Sequence, residues 1–219
     1  MEIKAVLFDL DGTLTDTEKY YQDAWPKTLE HFGYEMPADR PLELRSLGRP
    51  FVLDKFKEWY GEDVDYWAIR NYRKAMVEDI LQKEGIQLKP GAKETLQWLK
   101  EHNIFIALVT ANDRERAERY LKKIGLFDYF NEVVCADMVE YGKPAPDIYK
   151  YACDSLHLDP HDTIAVEDSP NGVISAYTAG CNVIMIPDLT EPDEALQEKL
   201  YARLDTLYDL ITIMDIDNI

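Results

Sequence analysis

Ala5-Val6-Leu7-Phe8 runs directly into Asp9-Leu10-Asp11-Gly12, and this junction constrains the chain more than any other stretch. Four consecutive apolar residues bounded by turn signals predict a strand buried on both faces, as in a parallel sheet. Two carboxylates stand where that strand ends, and Gly12 allows the turn. Because side chains alternate along an extended backbone, Asp9 and Asp11 are expected to leave on the same side. Their repulsion then has to be offset by a shared proton or a cation, and a magnesium ion would serve.

Beyond Glu18 the apolar period lengthens: Tyr20, Ala24, Leu29 and Phe32 recur at roughly helical spacing as far as Gly33. From Tyr34 to about Gly85, helical stretches over Phe51 to Tyr60 and Tyr66 to Lys83 are separated by Pro37, Pro41, Gly48-Arg49-Pro50 and Gly61. About 70 residues of helix exceed what one crossover needs. The pattern therefore predicts an all-α cap domain over residues 17–85, inserted into a core of residues 1–16 and 86–219.

After Lys89-Pro90-Gly91 the chain alternates regularly. Helices are expected over Ala92 to His102, Arg114 to Ile124, from after the Tyr141 to Pro146 turn to Leu156, and up to Ala179, with strands at Ile104 to Val109, Glu132 to Val134, Thr163 to Val166 and Asn182 to Ile186. The remainder, Glu191 to Ile219, reads as helical and acidic. This alternation predicts an α/β fold, a Rossmann-like, doubly wound parallel sheet covered on both faces. Ligands bind such sheets beyond the carboxyl ends of the strands. Four polar segments fall at those ends or in the loops leading from them: Asp9/Asp11, Thr110/Asn112, Lys143 and Glu167/Asp168.

Composition narrows the partners. The chain has 24 basic and 42 acidic residues, a net charge of −18, which repels nucleic acid and anionic membrane surfaces at long range. No apolar run approaches the length that spans a bilayer. Without a charged-then-apolar leader, a cytoplasmic location is expected, with the chain a monomer or weak homodimer. Cys135, Cys153 and Cys181 have neither disulfide-framework nor zinc-site spacing and read as apolar filler.

The four segments supply the parts of a phosphoryl-transfer site. Either Asp9 or Asp11 can attack phosphorus while the other donates a proton to the leaving oxygen. Hard magnesium prefers oxygen ligands, so Asp9, a carbonyl near Asp11, and Asp168 form a set, with Glu167 bound directly or just behind. The Thr110 hydroxyl and the backbone N–H groups of Ala111 and Asn112, at a helix start, favour an anion despite the overall charge. Lys143 adds a point cation for the phosphate and the nucleophile together.

Asp9-Leu10-Asp11-Gly12-Thr13, Thr110-Ala111-Asn112, Gly142-Lys143-Pro144 and Glu167-Asp168-Ser169, in this order, resemble the four motifs of the haloacid dehalogenase-like hydrolases. The insert and Asp16-Thr17-Glu18 resemble the β-phosphoglucomutase-like subgroup. The resemblance implies Asp9 as nucleophile, Asp11 as general acid/base, and Thr110 and Lys143 as phosphate-binding positions. It also implies a magnesium shell of Asp9, the Asp11 carbonyl and Asp168 beside Glu167. Asp11 argues for phosphorus chemistry over dehalogenation, since dehalogenating members lack that second aspartate.

The expected activity is hydrolysis of a small phosphorylated metabolite, a sugar phosphate, through an aspartyl-phosphate. A β-phosphoglucomutase-type mutase is the alternative, and a non-catalytic phosphometabolite-binding protein a further one. Tyr21 stands where the mutases resembled carry a histidine, and a phenol cannot act as an imidazole near neutral pH. Arg45, Gly48 and Arg49 are expected with Tyr21 as substrate contacts in the cap.

Overall fold

The structure is a computed structural model that describes residues 2–216, apart from the Ile216 side chain. Its elements run β1 (Ala5–Phe8), α1 (Glu18–His31), α2 (Arg40–Glu43), α3 (Phe51–Tyr60), α4 (Tyr66–Glu84), α5 (Ala92–Glu101), β2 (Phe105–Thr110), α6 (Arg114–Lys123) and β3 (Glu132–Cys135). They continue with α7 (Asp147–Leu156), β4 (Thr163–Glu167), α8 (Pro170–Ala179), β5 (Asn182–Met185), α9 (Glu194–Gln197), β6 (Ala202–Arg203) and α10 (Leu207–Ile216).

The six strands form one parallel sheet in the order β3-β2-β1-β4-β5-β6. Alternation within β1 splits the core into two layers. Val6 and Phe8 pack under α5, α6 and α10 with Ile106, Leu108 and Ile164, whereas Ala5 and Leu7 face Tyr149 of α7 and Val173 of α8. Burial on both faces is what turns the strand sequences into unbroken apolar runs. From β1 the chain winds outward through β2 and β3, then returns to the other side of β1 for β4 and winds the opposite way. Connections from β1 and β4 therefore diverge, and the sheet's topological switch point lies between their carboxyl ends. Phe8 is in register with Leu108 on one side and Val166 on the other, so Asp9 emerges level with Val109 and Glu167.

Between β1 and α5 the described residues hold helices and no named strand. Trp25, Leu29, Leu44, Val52, Phe56, Tyr66 and Ile69 make a hydrophobic cluster of their own there, with the Trp25 and Phe56 rings 5.3 Å apart. A second seam joins α1 and α4 to the sheet domain, where Tyr21, Ala24, Val77 and Leu81 pack with Tyr120 of α6.

One expectation is corrected. The stretch from Glu191, expected to be helical, contains the short strand β6 between α9 and α10. Two residues carry no readable period, and β6 exists only through pairing with β5, Ile184 opposite Ala202 and Met185 opposite Arg203. The last three residues of that stretch, 217–219, lie outside the described residues. No helix among the described residues is long and apolar enough to cross a membrane. The three cysteines are unpaired and buried.

Candidate active site

Asp9 follows β1 at the switch point. Its N–H donates to the Val166 carbonyl at 3.1 Å, so sheet pairing runs one residue past the strand and fixes the buried carboxylate beside β4. Lys143 Nζ donates to Asp9 Oδ1 at 2.7 Å, Glu167 Oε1 at 2.6 Å and the Val109 carbonyl at 2.9 Å. An ammonium has three N–H bonds, so all of them are engaged. The Tyr149 hydroxyl donates to Glu167 Oε1 at 2.7 Å. Gly172 in the first turn of α8 leaves room for that carboxylate, since a Cβ there would sit 2.0 Å from Glu167 Oε2.

Asp168, also buried, is ion-paired with the Arg45 guanidinium, which donates in addition to the Asp168 carbonyl at 3.2 Å. Asp9, Glu167 and Asp168 each offer a carboxylate oxygen, and these atoms lie within 4.8 Å of one another. Gly12 lets the first loop pass over them: its φ is +90°, and a Cβ would stand 2.2 Å from Asp168 Oδ2 and 3.2 Å from Asp188 Oδ2. That Asp188 oxygen is buried and has no hydrogen-bond partner among the described residues. Buried, oxygen-only donors with one oxygen left unbonded fit a hard divalent cation.

Electrostatics point the same way. Burial pushes the Asp9 carboxyl well above the usual carboxylate range; Lys143 opposes this, while Glu167 and Asp168 add to it. Burial likewise raises Asp168 against the pull of Arg45. For Lys143, burial works against the ammonium, but the Asp9 and Glu167 carboxylates outweigh it and hold the group above its ordinary value. Three carboxylates around two cations leave an anionic excess that a further cation would relieve.

Asp11 is held apart from this cluster. Its Oδ1 accepts from the Thr17 hydroxyl at 2.5 Å and its Oδ2 from the Asn112 amide at 2.6 Å. The Asn112 amide also reaches Thr110 Oγ1 at 3.1 Å, and the Asn112 backbone N–H donates to the same oxygen at 3.2 Å. The turn is thus closed on itself before α6 begins, and Asp113 caps that helix by accepting from the Arg116 N–H at 3.1 Å. With the carboxylate oriented from two sides, Asp11 can move a proton at one defined place.

A polar cavity of about 100 Å³ opens between the insert and this loop, bordered by Ala111, Asn112, Glu18 and Tyr21. Tyr21 is buried, and its hydroxyl has no partner among the described residues. The other insert residues singled out from the sequence lie elsewhere. Arg45 is turned onto Asp168, with Thr190 Oγ1 at 2.9 Å and Glu18 Oε1 at 3.8 Å. The Gly48 N–H donates to the Lys143 carbonyl and the Gly142 N–H to the Arg49 carbonyl, both at 2.7 Å. Arg49 is exposed, its guanidinium 5.8 Å from the Trp67 ring centre.

Several participants escape a reading of the sequence. Asp188 lies just beyond β5, the same topological position as the other carboxylates, and that placement is the signal that could have found it. Tyr149 and Arg116 sit in the first turns of α7 and α6 and Arg73 in the middle of α4, where nothing local distinguishes them from packing or surface residues.

The profile of the haloacid dehalogenase-like hydrolases matches residues 6–186. The chain is 30% identical over 184 residues to a phosphorylated carbohydrates phosphatase of Thermotoga maritima, covering 81% of this chain and 82% of that protein. It is 31% identical over 192 residues to the β-phosphoglucomutase of Bacillus subtilis, covering 81% and 80%. Among solved structures, CbbY from Rhodobacter sphaeroides in complex with phosphate superposes with a TM-score of 0.77 at 27% identity, over 95% of this chain and 96% of that one. With its parallel sheet, its helical insert and a profile match running from β1 past β5, the chain belongs to the haloacid dehalogenase-like hydrolases.

Proposed function

We propose that this hydrolase is a magnesium-dependent phosphatase acting on a small phosphorylated carbohydrate through an aspartyl-phosphate on Asp9. The observation that carries the reading is the buried trio Asp9, Glu167 and Asp168, with carboxylate oxygens within 4.8 Å of one another and Lys143 bridging two of them. In this reading a carboxylate oxygen of Asp9 attacks phosphorus, the ester P–O bond breaks, and Asp11 gives its proton to the leaving oxygen. Asp11 then takes a proton from water as that water's oxygen attacks phosphorus and releases Asp9. Lys143 orients the nucleophile and balances its charge, while Thr110, Ala111 and Asn112 receive the phosphate oxygens. Asp9, Asp168, the Asp11 carbonyl and Glu167 hold the metal, which when bound neutralises phosphate charge and orients the ester.

Residues 17–85 serve as the cap over the catalytic core of residues 1–16 and 86–219, in a cytoplasmic monomer or weak homodimer. The carbohydrate assignment draws on the relative from Thermotoga maritima, named for phosphorylated carbohydrates.

The test is phosphate release from a panel of sugar phosphates with magnesium, comparing the chain with Asp9→Asn. Release by the unmodified chain, lost in the variant, is expected. Conversion of β-glucose 1-phosphate to glucose 6-phosphate faster than phosphate appears would favour the mutase instead. Phosphate-ester binding with no turnover on any member would favour the non-catalytic alternative.

A further inference from the structure

The cavity between insert and core is cationic, although the chain as a whole carries −18. Arg70, Arg73 and Lys74 of α4 and Arg116 of α6 border it, against the single carboxylate of Glu18. Two of these cations are already committed, since Lys74 reaches Asp113 at 2.6 Å and Arg70 the same group at 3.9 Å. Arg73 and Arg116 are different.

The Arg73 guanidinium lies over the Trp25 ring at 3.9 Å and the Tyr21 ring at 5.3 Å. Its Nε is buried with no hydrogen-bond partner among the described residues. Arg116 is only 4% exposed. One of its terminal nitrogens donates to the Tyr120 hydroxyl at 2.7 Å, but its Nε is likewise buried and unbonded. Its guanidinium stands 5.1 Å from the centre of the Tyr21 ring, which Arg73 also approaches. A guanidinium presents five donors in a fixed fork, and leaving buried charged donors unbonded costs free energy that a ligand would recover. Two like charges converging on one ring repel; Asp11 beside Arg116 and Glu18 beside Arg73 offset part of this, and an anion bound between the guanidinium groups would offset more. Burial, the largest influence on Arg73, lowers its basicity, and Arg116 lowers it further.

We infer that Arg73 and Arg116 form a subsite for a second anionic group on the substrate, a carboxylate or a second phosphate, so that the preferred ester is doubly anionic. This rests on the phosphatase reading above, because the same cavity reaches Ala111 and Asn112, where the reacting phosphate is placed. Trp25 and Tyr21 hold the Arg73 fork flat, which suits bidentate capture of a planar carboxylate or a phosphate edge. A neutral sugar body could accept hydrogen bonds from these donors but would leave both guanidinium charges unneutralised.

Two measurements test it. In the first, kcat/KM is compared for 3-phosphoglycerate and glycerol 3-phosphate, and for fructose 1,6-bisphosphate and fructose 1-phosphate, on the chain and on Arg73→Met. A preference of about tenfold or more for the doubly anionic member of at least one pair is expected, the scale of one charge-assisted contact. That ratio should collapse towards one in the variant. Turnover with no such preference, or a preference that Arg73→Met retains, overturns the inference while leaving the phosphatase reading intact.

The second needs no turnover and no variant. Phosphonoacetate and ethylphosphonate differ by a carboxylate in place of a methyl group, and calorimetry on the unmodified chain should find the former bound about tenfold more tightly. Equal affinities overturn the inference. Absence of turnover on every ester, with the binding difference present, would instead count against the phosphatase reading alone.

Discussion

The Arg45 guanidinium, carried by the helical insert, is ion-paired with the Asp168 carboxylate in the loop after β4, and each side chain is 1% exposed. A cation from one part of the chain thus occupies a carboxylate that the other part would offer to a metal. Removing one partner of a buried pair leaves the other uncompensated. Arg45→Met should therefore tighten manganese binding, by about tenfold, the scale of one buried charged contact. Isothermal titration with manganese on both proteins measures it, and weaker binding in the variant would refute the competition.

Glu18 gives a pH dependence. Burial lifts its carboxyl to about 8, opposed by Arg45 and reinforced by Asp11. With a folded value above the unfolded one of 4.5, Glu18 is protonated in the folded chain and ionised in the unfolded chain across the intervening range. Unfolding then releases a proton, so the Glu18 contribution is fully present below the unfolded value and is lost as pH rises towards 8. The slope is about −1.4 kcal/mol per pH unit. Urea melts from pH 5 to pH 8 should show stability falling less steeply in Glu18→Gln than in the unmodified chain. Parallel slopes would sink the assignment.

Asn112 positions Asp11 through the 2.6 Å hydrogen bond from its amide. Asn112→Ala should lower kcat by about ten- to a hundredfold, a part of the roughly hundred- to ten-thousandfold that a positioned general acid contributes. A thermal melt should change little, because Asn112 is only half-buried. An unaltered kcat would mean that Thr17 alone suffices to hold the carboxylate.

Gly48 and Gly142 meet backbone to backbone, and a Cβ on Gly48 would lie 2.6 Å from the Gly142 Cα. Neither backbone can give way as a flexible side chain would. Gly48→Ala should lower stability by about 1–3 kcal/mol, the usual scale of overpacking, and lift the insert from the loop bearing Lys143. Denaturant melts together with faster proteolysis near residues 46–50 would register both effects. Wild-type stability in this variant would mean that the contact is loose.

The sheet domain was legible because its physics is local: strands buried on both faces read as apolar runs, and the motifs sit where such runs stop or, for Lys143, in the loop that follows. Asp9, Thr110 and Glu167 could be assigned to strand ends with no knowledge of their neighbours, and the length of helix after β1 alone required an insert. Beyond that point sequence order stops being informative. The two residues of β6 have no period and are a strand only because β5 lies beside them. Arg45 and Arg49 are four positions apart in one Gly- and Pro-bearing stretch, yet one is buried on Asp168 and the other stacks at the surface on Trp67. Arg73 and Arg116 come from helices separated by two further elements, and nothing near either distinguishes it from an exposed arginine. Local patterning dictated which segments become strands and helices, since hydrophobic period and turn chemistry act over a few residues. Which charges are stripped of water, and against which partners, was decided only when the insert packed onto the sheet, because desolvation depends on everything within a few ångströms in space.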